Sequence, residues 1–152
     1  MADCPVGVMR GDLWRYLVIY KYGGIYADLD TICRAPVELW LYPNNTQYDM
    51  IVCPENSDHF CQWTFAGEKD SPILKAVIDL IQKRNQCPDY TYSQFVCHLT
   101  GPGVWSDAIK AYLKWPQGYD LTQPIQDQTL LKRLKKARVK FFTDTEWRMF
   151  HC

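Results

Sequence analysis

Ten residues, Lys21-Tyr22-Gly23-Gly24-Ile25-Tyr26-Ala27-Asp28-Leu29-Asp30, constrain this chain more than any other stretch. A helix is expected to stop at the glycine pair, a short apolar strand follows, and the strand leads straight into two aspartates. Alternate residues of a strand share a face, so Asp28 and Asp30 are expected to point the same way at the strand's exit. Two carboxylates held together repel unless a cation or a proton relieves them. A hard divalent ion is the natural partner, with phosphate oxygens completing its coordination. A bare Asp-x-Asp is more often an acidic turn after a strand, so the reading depends on its neighbours.

Those neighbours lie just upstream. Asp12 to Tyr20 reads as a helix, with Leu13, Tyr16, Leu17 and Tyr20 as its apolar face. Gly23 then suits the C′ position, where a left-handed residue ends a helix. Asp12 and Arg15 are three apart and lie one above the other on the helix. Taken alone, they are a first-turn acid and its surface partner.

Taken together, Gly11-Asp12-x-x-Arg15-Tyr16 and Tyr22-Gly23-Gly24-Ile25-Tyr26-x-Asp28-x-Asp30 resemble the DxD-containing sugar-transferase family of the yeast initiating outer-chain mannosyltransferase. The glucosylating domains of large clostridial toxins are more distant members of the same resemblance. It continues through Pro54-Glu55, Gln62-Trp63-Thr64-Phe65-Ala66, Ser71-Pro72-Ile73-Leu74 and His98-Leu99-Thr100-Gly101-Pro102-Gly103, in the same order.

The resemblance implies a GT-A-like α/β domain, a Rossmann-like mixed sheet flanked by helices, over residues 1–152 and short at both ends. It implies a nucleotide-sugar donor, UDP- or GDP-hexose, a carbohydrate or glycoprotein acceptor, and retention at the anomeric carbon. It also implies that Asp30 binds a manganese or magnesium ion directly, and that Asp28 contacts the metal shell and the ribose or sugar. Asp12 and Arg15 would face the donor's sugar hydroxyls and phosphate, and Tyr26 would line the donor pocket. Relatives carry an earlier strand and helices that hold the base, and later residues that close over the donor.

Composition narrows the alternatives. Hydrophobic residues make up 47% and aromatics 14% of the 152 residues, which excludes a disordered chain. A formal net charge of zero gives no electrostatic reason to bind nucleic acid or an anionic membrane. No run is long enough to span a bilayer, and Met1-Ala2-Asp3-Cys4 does not begin a signal peptide. Seven cysteines form no paired C-x-x-C zinc pattern, and the odd number leaves at least one thiol unpaired. Asn44-Asn45-Thr46 fits a glycosylation acceptor, so oxidising lumen and reducing cytosol both stay open.

Further elements follow from local signals. Met1 to Arg10 reads as a loose lead-in. Thr31 to Tyr48, with Pro36 and Pro43, reads as irregular, pinned by Val37, Leu39, Trp40 and Leu41. Met50 to Cys53 is a short strand, and Phe60 to Phe65 a second one with Cys61, Trp63 and Phe65 on one face. Ser71-Pro72 starts a helix reaching about Arg84. Tyr90 to Val96 is ambiguous between helix and strand. Gly101-Pro102-Gly103 leads into a helix carrying Trp105, Ala108, Ile109, Tyr112 and Leu113. A short helix bears Leu130, Leu131 and Leu134, with a solvated basic face, before a strand at Val139 to Phe142.

Two other functions use the same residues. Asp28-Leu29-Asp30-Thr31 after an apolar strand also resembles the nucleophile motif of haloacid-dehalogenase-like phosphatases, with Asp28 phosphorylated and Asp30 as acid/base. That chemistry needs a later lysine and acidic pair, and it leaves Asp12 and Arg15 unexplained. A non-catalytic sugar-nucleotide-binding module is the other. Gln62 and Trp63 are secondary candidates for the sugar or acceptor side.

Overall fold

The computed structural model describes residues 7–41, 47–91 and 93–143. In chain order these form α1 (Gly7–Tyr22), β1 (Gly24–Ala27), a 3-10 turn (Val37–Leu41), β2 (Met50–Val52), β3 (Thr64–Gly67) and α2 (Pro72–Arg84). There follow α3 (Phe95–Leu99), α4 (Pro102–Leu113), α5 (Gln128–Lys136) and β4 (Val139–Phe141). The strands make one mixed sheet in the order β1-β3-β2-β4. Strand β3 is antiparallel to both neighbours, and β2 and β4 are parallel. This is the mixed α/β architecture expected from the sequence.

Strand alternation divides the apolar side chains between the two faces. One face meets α1, α2 and α4. There Tyr16 stacks on Trp105 at 5.3 Å between ring centroids, and Phe65 packs against Trp105 at 4.8 Å. The other face buries Trp40, Ile51, Cys53, Cys61 and Phe142 in a smaller cluster. Strand β1 sits at one edge of the sheet, in register with β3 through Tyr26 and Phe65, and delivers the chain to Asp28.

Several expectations are revised. Helix α1 begins at Gly7, within the expected lead-in, and its buried stripe is Met9, Asp12, Tyr16 and Ile19. Leu13, Leu17 and Tyr20 are only partly covered. Apolar residues surround this helix, so periodicity does not fix the inward face, and a carboxylate takes part of it. The expected strand over Phe60–Phe65 lies instead at Thr64–Gly67, with Phe60 making only an isolated bridge to Pro54. Cys61 and Trp63 pack with the smaller cluster and Phe65 with the helices, so the three do not share a face. Between the Ile51–Ala66 pair and the Pro54–Phe60 bridge the Phe60 side carries three extra residues, and this bulge interrupts the strand.

Of the expected anchors in the irregular segment, Trp40 is buried whereas Val37 and Leu39 are exposed. Tyr112 and Leu131 are likewise exposed, so α4 and α5 meet the core through their other apolar residues. The ambiguous stretch after Tyr90 ends in α3. Pro43, the glycosylation tripeptide, Cys4 and Cys152 lie outside the described residues. Among the described residues, no helix is long and apolar enough to cross a membrane.

Gly23 terminates α1 as expected. Its φ is +71°, and its N–H donates to the Ile19 carbonyl at 2.8 Å. A Cβ there would also lie 2.9 Å from the Lys69 backbone nitrogen, too close for any side chain. Gly23→Ala should therefore destabilise the chain by about 2 kcal/mol, through both the left-handed backbone and the clash. Thermal unfolding should show a melting temperature lowered by roughly 4–8 °C. An unchanged melting point would mean that the turn is not held as described.

Candidate donor and metal site

The site begins where the β1 ladder ends. The Asp28 N–H donates to the Trp63 carbonyl at 2.8 Å, and the Thr31 N–H donates back to the Asp28 carbonyl at 3.0 Å. The two aspartates are thus presented by a turn, not by a continuing strand. Both still border one open cleft of about 300 Å³, with Thr31 and Trp63 as its other walls. A groove between α1 and β1, past Trp14 and Tyr26, reaches the same two carboxylates. The cleft lies at the C-terminal end of β1, where open α/β sheets commonly bind ligands.

Arg15 connects the cleft to the helix layer. Its guanidinium lies 3.5 Å from Asp28 Oδ1 through one terminal nitrogen and 3.5 Å from Asp12 Oδ1 through the other. It also donates to the Gln62 carbonyl at 3.1 Å and sits 4.8 Å from the Tyr26 ring centroid. The Tyr26 hydroxyl donates to Asp28 Oδ1 at 2.6 Å. Burial, and then this bond to a carboxylate, push the Tyr26 hydroxyl up to about 12, so it stays a donor at neutral pH. One oxygen of Asp28 is therefore fixed from two sides. Asp30 stands exposed beyond it.

Asp12 lies deeper, with 4% of its surface exposed. Oδ1 accepts from Gln62 Nε2 at 2.7 Å, and Oδ2 accepts from Thr100 Oγ1 at 3.0 Å. Thr100 is anchored in turn, because its carbonyl accepts from the buried Tyr16 hydroxyl at 3.1 Å. Three sequence-distant segments, α1, the approach to β3 and the α3–α4 junction, thus converge on one carboxylate. Burial raises the Asp12 carboxyl above its ordinary 3.8, while Thr100, Arg15 and Gln62 pull it back.

Sequence reasoning named Asp12, Arg15, Tyr26, Asp28 and Asp30, and the structure gathers the first four into contact with Asp30 alongside. It gave Gln62 only a secondary place and Thr100 none. The signal for Thr100 is a polar residue just before a Gly-Pro-Gly helix start, which says nothing of a partner 88 positions earlier. Gln62 Oε1 and Arg15 Nε are both buried without a hydrogen-bond partner. An acceptor and a donor left unsatisfied in one network are an arrangement that a water or a hydroxylated ligand completes.

A divalent cation fits this chemistry only in part. Asp28 and Asp30 are hard oxygen donors on one cleft. Among the described residues, no group of three or more His, Cys, Asp or Glu is assembled to hold a metal. The pair suits an ion whose other ligands come from phosphate or water.

Asp12 generates a pH prediction. Its raised value means that the folded chain keeps this proton to a higher pH than the unfolded chain does. The group therefore opposes folding at neutral pH, and the cost is relieved as pH falls through the raised value toward 3.8. Asp12→Asn removes that titration. The stability difference between wild type and variant, from urea unfolding, should move in favour of wild type between about pH 7 and about pH 4. Movement the other way would mean that the hydrogen bonds outweigh burial.

Residues 2–52 match the family described as "Glycosyltransferase sugar-binding region containing DXD motif". The chain is 31% identical over 137 residues to the initiation-specific alpha-1,6-mannosyltransferase of Schizosaccharomyces pombe, covering 77% of this chain and 35% of that protein. It is 23% identical over 175 residues to the same-named protein of Candida albicans, covering 96% of this chain and 42% of that one. The chain thus spans about two fifths or less of the curated relatives it matches. Among solved structures, the PaToxG glycosyltransferase shares the fold at a TM-score of 0.57 and 23% identity, over 86% of this chain and 41% of that one. In its Asp-x-Asp segment and its relatives the chain is similar to the DXD-containing glycosyltransferases, and its fold is shared with a glycosyltransferase of known structure.

Proposed function

We propose that this chain is a glycosyltransferase domain that takes a hexose from a nucleoside-diphosphate sugar and passes it, with retention, to a glycan or glycoprotein acceptor. The observation that carries the reading is the shared cleft of Asp28 and Asp30, with Arg15 reaching from Asp12 to Asp28 behind it. The mannosyltransferase names of the relatives favour mannose as the hexose. We read residues 1–152 as one such domain.

Breaking the donor's glycosidic bond leaves negative charge on the departing diphosphate. Manganese or magnesium held by Asp28 and Asp30 would supply Lewis-acid stabilisation of that charge. The chain's own residues prepare the place. Tyr26 holds one Asp28 oxygen so that the carboxylate keeps one orientation. Asp12, both oxygens committed, acts as a positioning residue that holds Arg15 and Gln62. Arg15 sets a planar cation between Asp12 and Asp28 at the back of the cleft, where its charge would act on the donor phosphate or sugar. The unsatisfied Arg15 Nε and Gln62 Oε1 leave one donor and one acceptor of this network for a water or a ligand group to satisfy.

The phosphatase reading has less support. Its nucleophile needs a nearby lysine, and the cleft is lined by Asp28, Asp30, Thr31 and Trp63. A binding module without turnover differs from the transferase only in chemistry, so activity must be measured alongside binding.

The test is a thermal-shift and calorimetry panel of UDP, GDP and their hexose derivatives, with manganese or with excess chelator. Metal and nucleotide should bind interdependently, and a ligand at a hundred times its Kd should stabilise by about 2.7 kcal/mol. Asp30→Ala should abolish the coupling while leaving the melting point of the bare chain within about 1 °C, because an exposed turn carboxylate contributes little to stability. Arg15→Lys keeps the charge but loses the fork, and should weaken donor binding by roughly tenfold to a hundredfold. Equal binding of UDP and GDP in chelator would overturn the metal bridge. Binding with no sugar transfer or hydrolysis would leave a sugar-nucleotide-binding module.

A further inference from the structure

The hairpin that feeds the site carries two cysteines with no part in the reading above. Pro54 and Phe60 form an antiparallel bridge, which sets Cys53 opposite Cys61. The Cys61 N–H donates to the Cys53 carbonyl at 2.9 Å. Both thiols are fully buried in the same cluster, beneath Trp40 and Phe142. Two helix side chains clamp the same strand, since Phe60 N–H donates to Ser106 Oγ at 2.8 Å and Trp105 Nε1 donates to the Cys61 carbonyl at 3.1 Å. The next residues are Gln62, which holds Asp12, and Trp63, which walls the cleft.

We infer that Cys53 and Cys61 are a cross-strand disulfide site, formed in an oxidising compartment, that staples the hairpin behind the Asp-x-Asp cleft. No disulfide joins them in this structure, but opposite residues of an antiparallel pair have Cα atoms about 4.5–5.5 Å apart, within the roughly 4.4–6.8 Å span of disulfides. The oxidant is a disulfide, either a small molecule or an oxidoreductase. The thiolate of one cysteine attacks a sulfur of that disulfide, giving a mixed disulfide and releasing one thiol. The second cysteine's thiolate then attacks the first cysteine's sulfur, forming the Cys53–Cys61 bond and releasing the other thiol. Two electrons and two protons pass to the oxidant. Burial keeps reagents away from the closed hairpin, so exchange takes place while the segment is open during folding, and closure then seals the bond. Cys33 and Cys87 are exposed, have no cysteine set opposite them among the described residues, and serve as internal controls.

The test refolds the full chain in a glutathione redox buffer. It is then unfolded in iodoacetamide without reductant and mapped by mass spectrometry. Cys53 and Cys61 should be recovered as one cross-linked peptide pair, with Cys33 and Cys87 alkylated. Closing a loop of about nine residues corresponds to a melting temperature roughly 5–10 °C higher in the oxidised than in the reduced chain. Cys53→Ala with Cys61→Ala should melt at the same temperature with and without reductant. If that double variant does not fold, the peptide map of the wild type decides alone. Alkylation of both residues after oxidative refolding overturns the assignment, as does cross-linking of either to another cysteine.

Discussion

The site depends on one buried carboxylate. Asp12 carries a charge in the helix layer, where desolvation makes an ionised group costly unless hydrogen bonds and a counter-charge compensate. The compensation comes from Gln62, Thr100 and Arg15. The cost therefore fixes geometry, because any shift of the α3–α4 junction or of the β3 approach leaves that charge short of a partner. Arg15 is the member that looks outward. Its guanidinium is locked against Asp12 on one side and reaches Asp28 on the other, so order in the core is transmitted to the edge of the cleft.

Around that hub the fold separates rigid from open parts. The Tyr16, Phe65 and Trp105 stack ties α1, β3 and α4 together directly behind the network. Tyr26 extends the stack to β1, packing on Phe65 at 5.8 Å between centroids while its hydroxyl holds Asp28. Beyond Asp28 the packing stops. Leu29 is fully exposed and Asp30 faces solvent. One carboxylate is thus preorganised and the other free to adapt, an arrangement suited to a ligand that arrives with part of its own coordination.

The sequence made the local story legible and the long-range one obscure. The glycine pair, the short strand and the paired aspartates are chemistry of adjacent residues, and they are found where expected. So are the Ser71-Pro72 helix start and the helix after Gly101. The inward face of α1 was misjudged because a buried aspartate breaks its apolar stripe, and no local rule places a charge in a core. Thr100 and Gln62 matter through partners 88 and 50 positions away, which only the fold supplies. The strand expected from Phe60 is broken because three extra residues separate the Ile51–Ala66 register from the Pro54–Phe60 bridge, and the chain bulges before Phe65 joins the helix side.

The central claim is that a divalent cation and a nucleoside diphosphate meet at the Asp28–Asp30 turn. Paramagnetic broadening by manganese locates that meeting point directly. In the amide and indole proton spectrum, manganese with UDP or GDP should broaden Thr31 and Trp63 selectively. Neither component alone should do so, and Asp30→Ala should remove the effect. Broadening centred on another part of the chain, or the same broadening at Trp63 with no nucleotide present, would contradict the account.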